Sequence, residues 1–337
     1  MMNVRQMLRT APILLGLLAV HQAYAEPVLT VYTHPSFAAE WGPGPAIKEA
    51  FEERCNCQLR FTVLDSGGAI LQRLRLEGAG TSADLVLGLD TSTMETARAT
   101  GLLAQHELSL PELSLPVDWQ DPVFVPYDWG YFAFVYDTEQ IDNPPESLEA
   151  LVNAPDDLKI IIQDPRTSTP GLGLLLWMKH VFGDQADERW QQLQGKILTT
   201  TQSWSDGYFS LFMNGEAPMI LSYSTSPAYH MAVDKTDRYQ AAPFEEGHYL
   251  QVEVAAVVNS SDQKALARAF LDFMLTPNFQ RHIPLKNVMY PAIDLGDELP
   301  DVFDRLIEPS RALMFPPEAL RDHRQDWVNE WLDAMTR

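Results

Sequence analysis

The feature that most constrains the fold is a threefold alternation of strand and helix patterns near the start of the chain. Three short segments are rich in valine, leucine and threonine, as strands are, and they span residues 28–33, 58–64 and 84–89. Helical patterns follow them at residues 46–54, from Gly67 onward, and at residues 94–100. This order predicts a doubly wound α/β sheet of parallel strands, whose ligand-side loops lie at the carboxyl ends of the strands.

A second unit of the same kind follows a strand-like stretch, FVPYDWGYFAFVYD, at residues 124–137. That stretch predicts strands that cross from one lobe to another, with a break at residues 126–130. The second unit has predicted strands at residues 159–163, 197–201 and 218–223, and predicted helices at residues 170–182, 187–194 and 204–214. Residues 249–258 predict one more strand, which returns to the first lobe.

The chain therefore predicts two α/β lobes joined by a crossover hinge. The 337 residues are enough for two domains. We expect lobe one to comprise residues 26–124 and 248–292, and lobe two to comprise residues 125–247 and 293–337. An amphipathic helix is expected at residues 264–275, and a charged helical tail from about residue 300.

The amino terminus has the pattern of a Sec-type signal peptide. Arg5 and Arg9 precede an apolar core at residues 13–20, which is too short for a membrane span of roughly twenty apolar residues. An A-x-A sequence at residues 23–25 predicts cleavage near Ala25 and export to the periplasm. We exclude this segment from the fold.

The charge of the chain excludes some classes of partner. The formal net charge is -22, and removing Arg5 and Arg9 with the signal peptide takes it to -24. Such a chain is poorly suited to nucleic acid or to anionic membrane surfaces. We expect a freely diffusing monomer. Two lobes joined by crossing strands in an exported, soluble chain describe a periplasmic solute-binding protein, which captures its ligand between the lobes.

Cys55 and Cys57 are the two cysteines of the chain. An oxidising compartment favours a disulfide between them over two free thiols. The closed loop is very small, so its entropic contribution to stability is small. A metal site is the least favoured interpretation, because no pair of His or Cys partners lies at metal-ligand spacing.

Four aromatic residues fall on loops at predicted carboxyl ends of strands, where a cleft would lie. They are Trp41, Trp204, Tyr223 and Tyr229. Flat aromatic walls suit a planar or cationic ring, and each contact contributes ~0.5–2 kcal/mol through stacking and cation–π attraction. Ordinary packing is the alternative for any single one of them, but the four together favour a binding site.

Polar residues stand at the same loops. His34 lies at the end of the first strand. It is predicted to be a ring contact at the cleft mouth, and the alternative is a surface or capping histidine. A metal-ligand role is not favoured. Asp65 and Ser66 suit an exocyclic amine. The alternative for these two is a turn that precedes a helix starting at Gly67.

Residues 163–177, QDPRTSTPGLGLLLW, predict the end of a buried strand, a polar turn and a helix. Ser168 or Thr169 is a good N-cap, and Pro170 fits the first helical turn. Free backbone N–H groups at a helix start favour an anion. We expect Ser168 to contact the ligand and Thr169 to be the structural cap; a capped helix without a ligand is the alternative.

Six motifs together resemble one family over nearly the whole mature chain. They are YTHPSFAAEWGPGP, DLVLGLD, FVPYDWGYFAFVYD, QDPRTSTPGLGLLLWM, SYSTSPAYH and EGHYLQVEVAA. The chain is similar to the thiamine-binding periplasmic proteins of bacterial ABC transporters, which have the two-lobe, type II-like fold. The resemblance implies capture of thiamine and of its mono- and diphosphates, and delivery to an inner-membrane permease.

The resemblance also implies roles for individual residues. Ring contacts would come from Trp41, Trp204, Tyr223 and Tyr229. Polar contacts would come from Gly67 and its neighbours, and Ser168 would contact the phosphate or hydroxyethyl side. The sequence departs from the family pattern at His34, where tyrosine is expected, at Ser66, where aspartate is expected, and at Val288, where tryptophan is expected. These departures bear on affinity and on the preference among thiamine forms.

Three alternatives remain open from the sequence. A thiamine-degrading enzyme of similar fold needs a cysteine nucleophile, and both cysteines fall at the edge opposite the ligand-side loops. Ferric ion needs clustered tyrosinates, whereas Tyr223 and Tyr229 are separated. A polyamine needs several cleft carboxylates, and only Asp65 and Asp90 are obvious. No cofactor, no metal ion and no catalytic residue is expected.

Overall fold

The computed structural model describes residues 26–336, and the predicted signal peptide lies outside them. The strands are β1 (Val28–Thr33), β2 (Gln58–Val63), β3 (Leu85–Asp90), β4 (Val125–Asp137), β5 (Ile160–Gln163), β6 (Ile197–Thr201), β7 (Met219–Tyr223), β8 (Tyr239–Ala241), β9 (His248–Val257), β10 (Tyr290–Pro291) and β11 (Ala312–Leu313).

The helices between them match most of the predicted ones to within two or three residues. They are α1 (Pro35–Ala38), α2 (Gly44–Cys55), α3 (Gly67–Glu77), α4 (Met94–Arg98), α5 (Leu148–Val152), α6 (Thr169–Phe182), α7 (Ala186–Gln194), α8 (Ser226–Tyr229), α9 (Lys264–Met274), α10 (Pro277–Gln280), α11 (Ile283–Lys286) and α12 (Pro317–Thr336). The predicted helical tail is irregular from residue 300 until α12 begins at Pro317, because short 3₁₀ and strand segments intervene.

The strands run in the order β2-β1-β3-β9-β4-β7-β5-β6. We call β1–β3 with α1–α4 and α9–α11 the first lobe, and β5–β8 with α5–α8 and α12 the second lobe. Within each lobe the core strands are parallel, as predicted: β1 pairs in parallel with β2 and β3, and β5 pairs in parallel with β6 and β7. The whole sheet is mixed, because β9 is antiparallel to β3 and β4, and β4 is antiparallel to β7.

Strand β4 carries the chain from one lobe to the other. The predicted break at residues 126–130 is wrong, because β4 is one continuous strand of 13 residues. A register shift between Pro126 and Asp128 absorbs the proline, which has no N–H to give to the ladder. Residues 125–131 pair with β9, and residues 132–136 pair with β7.

Each lobe has its own buried hydrophobic core. Two buried clusters cover the two faces of the first-lobe sheet, one centred on Phe37, Phe51 and Phe270 and the other including Leu74 and Phe124. The core of the second lobe is built around α6, whose Trp177 is fully buried.

The two cysteines form a disulfide, as favoured from the sequence. Cys55 ends α2, Asn56 takes a left-handed conformation with φ +50°, and Cys57 precedes β2. The bridge therefore lies at the amino-terminal edge of the parallel strands, away from the carboxyl-end loops.

A buried histidine connects the two crossing strands. Nδ1 of His248, the first residue of β9, lies 2.8 Å from the carbonyl oxygen of Phe132 on β4, and Nε2 lies 3.0 Å from the amide nitrogen of Phe244. A carbonyl only accepts and an amide N–H only donates, so Nδ1 carries the proton and the imidazole is neutral. Burial lowers the pKa of His248 to about 4.

We predict that His248 makes stability fall in mild acid. Because the pKa is about 4 in the folded chain and about 6.5 in the unfolded chain, the unfolded state binds more protons between these values. Stability is therefore lost as pH falls from about 6.5 toward 4, by up to roughly 3 kcal/mol from this group. Urea unfolding of the native protein and of His248→Gln at pH 7 and pH 4.5 measures the effect.

The stability gap between the native protein and His248→Gln should narrow by about 2–3 kcal/mol at the lower pH. His323→Gln, which alters an exposed histidine on α12, is the control for loss of an imidazole ring, and its difference in stability from the native protein should be the same at both pH values. Parallel pH profiles for the native protein and His248→Gln would contradict the prediction.

Candidate ligand-binding site

Trp204 forms a half-buried platform in the second lobe. Its ring stacks on Tyr208 with 4.9 Å between centroids, and its Nε1 donates to Ser222 Oγ at 2.8 Å. The predicted helix at residues 204–214 is present, but its centre, Asp206–Leu211, is a π-helix and Phe212–Asn214 is a 3₁₀ turn. Single π-helical turns are frequent at functional sites.

A buried hydrogen-bonded chain supports this platform from behind. The Tyr208 hydroxyl lies 2.9 Å from His230 Nε2, and His230 Nδ1 lies 2.7 Å from Asp234 Oδ2. The carboxylate accepts from Nδ1–H, so Nε2 accepts from the tyrosine. Burial lowers the pKa of His230, although the Asp234 carboxylate opposes that shift. This series of hydrogen bonds was not predicted from the sequence, because Tyr208, His230 and Asp234 are up to 26 residues apart and follow no common motif.

The first lobe meets this platform through Trp41. Its ring lies edge-to-face with Phe209, with centroids 6.4 Å apart, and Phe209 in turn contacts Trp204 at 5.4 Å. Trp41 is 50% exposed and Phe209 is 47% exposed. The three rings therefore form a line from one lobe to the other near the protein surface. Phe209 was not singled out from the sequence.

The two predicted tyrosines occupy different places. Tyr223, at the end of β7, packs on Phe132 with centroids 5.2 Å apart and contacts the cores of both lobes. Burial raises the pKa of Tyr223, and carboxylates opposite it raise that pKa further. Tyr229, at the end of α8, lies edge-on to His230 at 5.7 Å. Within residues 26–336, the four predicted aromatic residues do not form one stacked group.

His34 is part of a polar group on the first lobe. Its Nδ1 lies 2.8 Å from Ser36 Oγ, and its Nε2 lies 3.4 Å from the Tyr127 hydroxyl and 3.8 Å from Glu253 Oε2. The ring packs directly on Gly88, which has φ +105°, and a Cβ there would lie 2.4 Å from His34 Cδ2. A glycine is therefore required for His34 to reach this position.

Three carboxylates stand side by side on adjacent strands next to His34. Asp90 of β3 pairs directly with Glu253 of β9, which pairs directly with Asp128 of β4. Glu253 accepts hydrogen bonds from the Tyr127 hydroxyl at 2.5 Å and from Gln251 Nε2 at 3.0 Å. Directly opposed residues of paired strands share one face of the sheet. We call Asp90, Glu253 and Asp128 the carboxylate row.

The carboxylate row does not carry three full charges. Burial and the neighbouring Glu253 raise the pKa of Asp128 well above its ordinary value. Burial also raises the pKa of Asp90. For Glu253, burial opposes ionisation, but hydrogen bonds and charge from His34, together with the Tyr127 hydroxyl, outweigh it and lower the pKa. Within this pair, ionisation is therefore easier at Glu253 than at Asp128.

Only Asp90 of this row was noted from the sequence. Asp128 and Glu253 were missed, although each is a single acidic residue inside an otherwise apolar strand, PYDWG and VEVAA. That pattern is a usable signal, because a buried carboxylate is costly unless it is paired or functional.

The predicted polar residues at α3 have mainly structural contacts. Ser66 is the N-cap of α3, and its hydroxyl oxygen accepts from the Ala69 amide at 3.2 Å. Asp65 is exposed. A Cβ on Gly67 would lie 2.4 Å from the Gly88 carbonyl oxygen, so this glycine allows α3 to approach β3. The contacts of Asp65 and Ser66 within the chain therefore match the alternative prediction, a turn that precedes the helix starting at Gly67.

The turn before α6 differs from the prediction in one respect. Ser168, not Thr169, occupies the N-cap position, so the expectation that Thr169 is the structural cap is wrong. Thr169 is the first helical residue. The buried Ser168 side chain makes no capping hydrogen bond to its own helix within the described chain. Its hydroxyl is thus available to a ligand.

The lobes are in contact between the carboxylate row and α6. A cavity of about 10 Å³ lies there, lined by residues that include Asp90, Phe132, Thr169 and Gln251. That volume holds one water molecule at most. A ring-sized ligand therefore requires the lobes to separate before it enters.

Residues 26–336 show neither a metal site nor a membrane-spanning helix. In that part of the chain no group of three or more His, Cys, Asp or Glu residues is arranged to hold a metal ion. No helix in the same range is long and apolar enough to cross a bilayer.

Comparison with known proteins identifies relatives of the whole chain. Residues 80–322 match the family of bacterial extracellular solute-binding proteins. The thiamine-binding periplasmic protein of Salmonella typhimurium is 51% identical over 95% of this chain and 97% of its own length. A solved periplasmic thiamin binding protein superposes with a TM-score of 0.89 at 50% identity, covering 93% of this chain and 97% of that one.

A more distant structure shows the fold alone. Iron-bound HitA from Pseudomonas aeruginosa superposes with a TM-score of 0.74 at 18% identity, covering 91% of this chain and 99% of that one. The predicted fold, a two-lobe type II periplasmic binding protein, is thereby confirmed. The chain belongs to the bacterial extracellular solute-binding proteins, in the family of the thiamine-binding periplasmic proteins.

Proposed function

We propose that this periplasmic protein captures thiamine between its two lobes and delivers it to an inner-membrane ABC permease. The observation that carries the proposal is the likeness to thiamine-binding periplasmic proteins along almost the whole chain. The site supports it independently, because a flat organic cation needs aromatic walls and negative charge. Trp204 and Tyr223 supply the aromatic walls, and the carboxylate row supplies the negative charge.

We propose the roles of the predicted residues on the same basis. Trp41, Trp204, Tyr223 and Tyr229 border the ring-binding region, and His34, Asp65, Ser66 and Gly67 border its polar side on the first lobe. Ser168 faces the hydroxyethyl or phosphate end, which extends the ligand class to thiamine monophosphate and diphosphate. The protein acts as a monomer.

The division into lobes is proposed as residues 26–124 with 248–292, and residues 125–247 with 293–337. Strand β4, which begins at the proposed boundary, pairs with β9 up to Tyr131 and with β7 beyond it. Small rotations within two paired strands allow lobes to open and close as rigid bodies.

An enzymatic role is not proposed. A thiaminase-like reaction needs a free thiolate in the cleft. Here both cysteines are joined in a disulfide at the opposite edge of the first lobe. The relatives that support the family are binding proteins by name.

A polyamine is the second candidate solute. From the sequence, Asp65 and Asp90 are the two obvious cleft carboxylates. In the structure, Asp128 and Glu253 also lie beside Asp90. Additional carboxylates suit an amine cation. The aromatic residues favour a ring, so thiamine remains the first proposal.

Calorimetric titration of the mature protein tests the proposal. We expect thiamine, thiamine monophosphate and thiamine diphosphate to bind with a dissociation constant of roughly micromolar or lower, and to raise the melting temperature through preferential binding to the folded state. Spermidine and ferric citrate serve as controls and should do neither. A melting shift with spermidine but none with any thiamine form would replace the first proposal by the second.

The platform residue gives a second prediction. Trp204→Ala should weaken thiamine binding by roughly 1–3 kcal/mol, because it removes stacking area and cation–π attraction. Trp204→Phe keeps a flat ring and should retain about half of that contribution. Titration of both variants, with melting curves to confirm folding, measures the effect. Unchanged affinity in folded Trp204→Ala would return this residue to simple packing.

The turn before α6 gives a third prediction. Ser168→Ala should weaken thiamine monophosphate more than thiamine, by about 1 kcal/mol, because one hydroxyl bond to the phosphate is lost. Thr167→Ala is the matched control, since the Thr167 hydroxyl donates to the Gln202 carbonyl instead. Paired titrations of both variants with both ligands decide the question. Equal losses for the two ligands in Ser168→Ala would place the phosphate elsewhere.

A further inference from the structure

The carboxylate row faces few positive groups within residues 26–336. His34 Nε2 lies 3.8 Å from Glu253 Oε2. Arg324 of α12 reaches the far end of the row, where its Nη1 donates to the Ser92 carbonyl oxygen at 3.2 Å and its charge acts on Asp90. The phenols of Tyr127 and Tyr223 are the other titratable groups beside the row.

The central pair is held by neutral donors. Tyr127 and Gln251 each donate one hydrogen bond to Glu253, and Asn287 Nδ2 lies 2.5 Å from Asp128 Oδ2 and 3.5 Å from Glu253 Oε2. Neutral donors fix the orientation of a carboxylate without cancelling its charge. Among the described residues beside Glu253, His34 at 3.8 Å is the one side chain that can carry a positive charge, so a cationic ligand could add to the compensation of this carboxylate.

Two buried acceptors beside the pair have no hydrogen-bond partner in the described chain. They are Asp128 Oδ1 and Gln251 Oε1. Asp128 is 0% exposed and Gln251 is 2% exposed. A buried acceptor without a donor is destabilising, so such atoms are rare in folded proteins unless a ligand or water supplies the donor. Both atoms indicate a ligand with N–H groups or positive charge.

The pair also lies on the strands that connect the two lobes. Asp128 and Glu253 are opposed residues on the two crossing strands β4 and β9. Tyr223 of the second lobe lies beside the same part of β4, since a Cβ on Gly130 would be 3.8 Å from Tyr223 Cδ1. A cation placed between Glu253 and Tyr223 would contact both lobes.

We propose that Glu253, with Asp128 beside it, is the counter-charge site for the cationic ring of the bound solute and selects charged rings over neutral ones. The inference rests on the proposed function and adds the residue that recognises the charge. Glu253 supplies the negative charge, and the unpartnered Asp128 oxygen accepts from an N–H group or lies against the ring cation. Because water is largely excluded there, attraction to the carboxylate is stronger than at the surface.

Replacing each carboxylate of the pair by its neutral amide tests the proposal. The variants are Glu253→Gln and Asp128→Asn, which keep the side-chain shapes. Asp262→Asn is the matched control, because it removes one formal charge from an exposed position of the same lobe. Thiamine affinity is measured by calorimetry, with melting curves for each variant.

Glu253→Gln should weaken thiamine binding at least ~10-fold, because one partner of a desolvated charge pair is removed. Asp262→Asn should leave the affinity unchanged. If Glu253→Gln does not fold, Asp128→Asn supplies the same comparison, and a loss of at least ~3-fold is expected there.

A matched pair of probes separates charge recognition from general damage. The probes are the neutral hydroxyethyl-methylthiazole half of thiamine and its N-methylated cation, each competed against thiamine. The native protein should prefer the cation, and Glu253→Gln should lose that preference. Equal weakening of both probes, or unchanged thiamine affinity in folded Glu253→Gln, would overturn the inference. If the native protein does not bind thiamine at all, the proposed function itself fails.

Discussion

The structure depends on the antiparallel pairing of β4 with β9. These two strands connect the lobes, and their paired residues, from Val125 with Ala255 to Tyr131 with Leu250, form the centre of the sheet. The hydrogen bond from His248 to the Phe132 carbonyl joins the same two strands where β4 changes partner. The pairing with β9 ends at Tyr131, and beyond it β4 pairs with β7, so one strand belongs to the sheets of both lobes.

The same pairing builds the polar part of the site. Asp128 and Glu253 oppose each other in the middle of two otherwise apolar strands, and Asp90 extends the row onto β3. The aromatic part comes from loops of the second lobe, where the Tyr208–His230–Asp234 chain supports Trp204. The carboxylates thus lie on paired strands, and the aromatic rings lie on loops of the second lobe.

The sequence predicts the architecture well because hydrophobic periodicity and helix-start signals are local. Strand β1 and the start of α3 at Gly67 agree residue by residue. The sequence-based prediction fails where the local structure depends on pairing with a neighbouring strand. Residues 126–130 read as a break, yet pairing with β9 carries β4 through a bulge. Glu253 and Phe209 acquire their positions from residues far away in the chain, so local patterns did not identify them.

A crystal structure of the mature protein with thiamine tests the account most directly. We expect the thiazolium ring between the lobes, against Tyr223 and within about 4 Å of the Glu253 carboxylate, a distance typical of a close ion pair. The aminopyrimidine ring should lie on the side of Trp204. Thiamine bound outside the interlobe region, or bound between the lobes with its cation turned away from Glu253 and Asp128, would contradict the account.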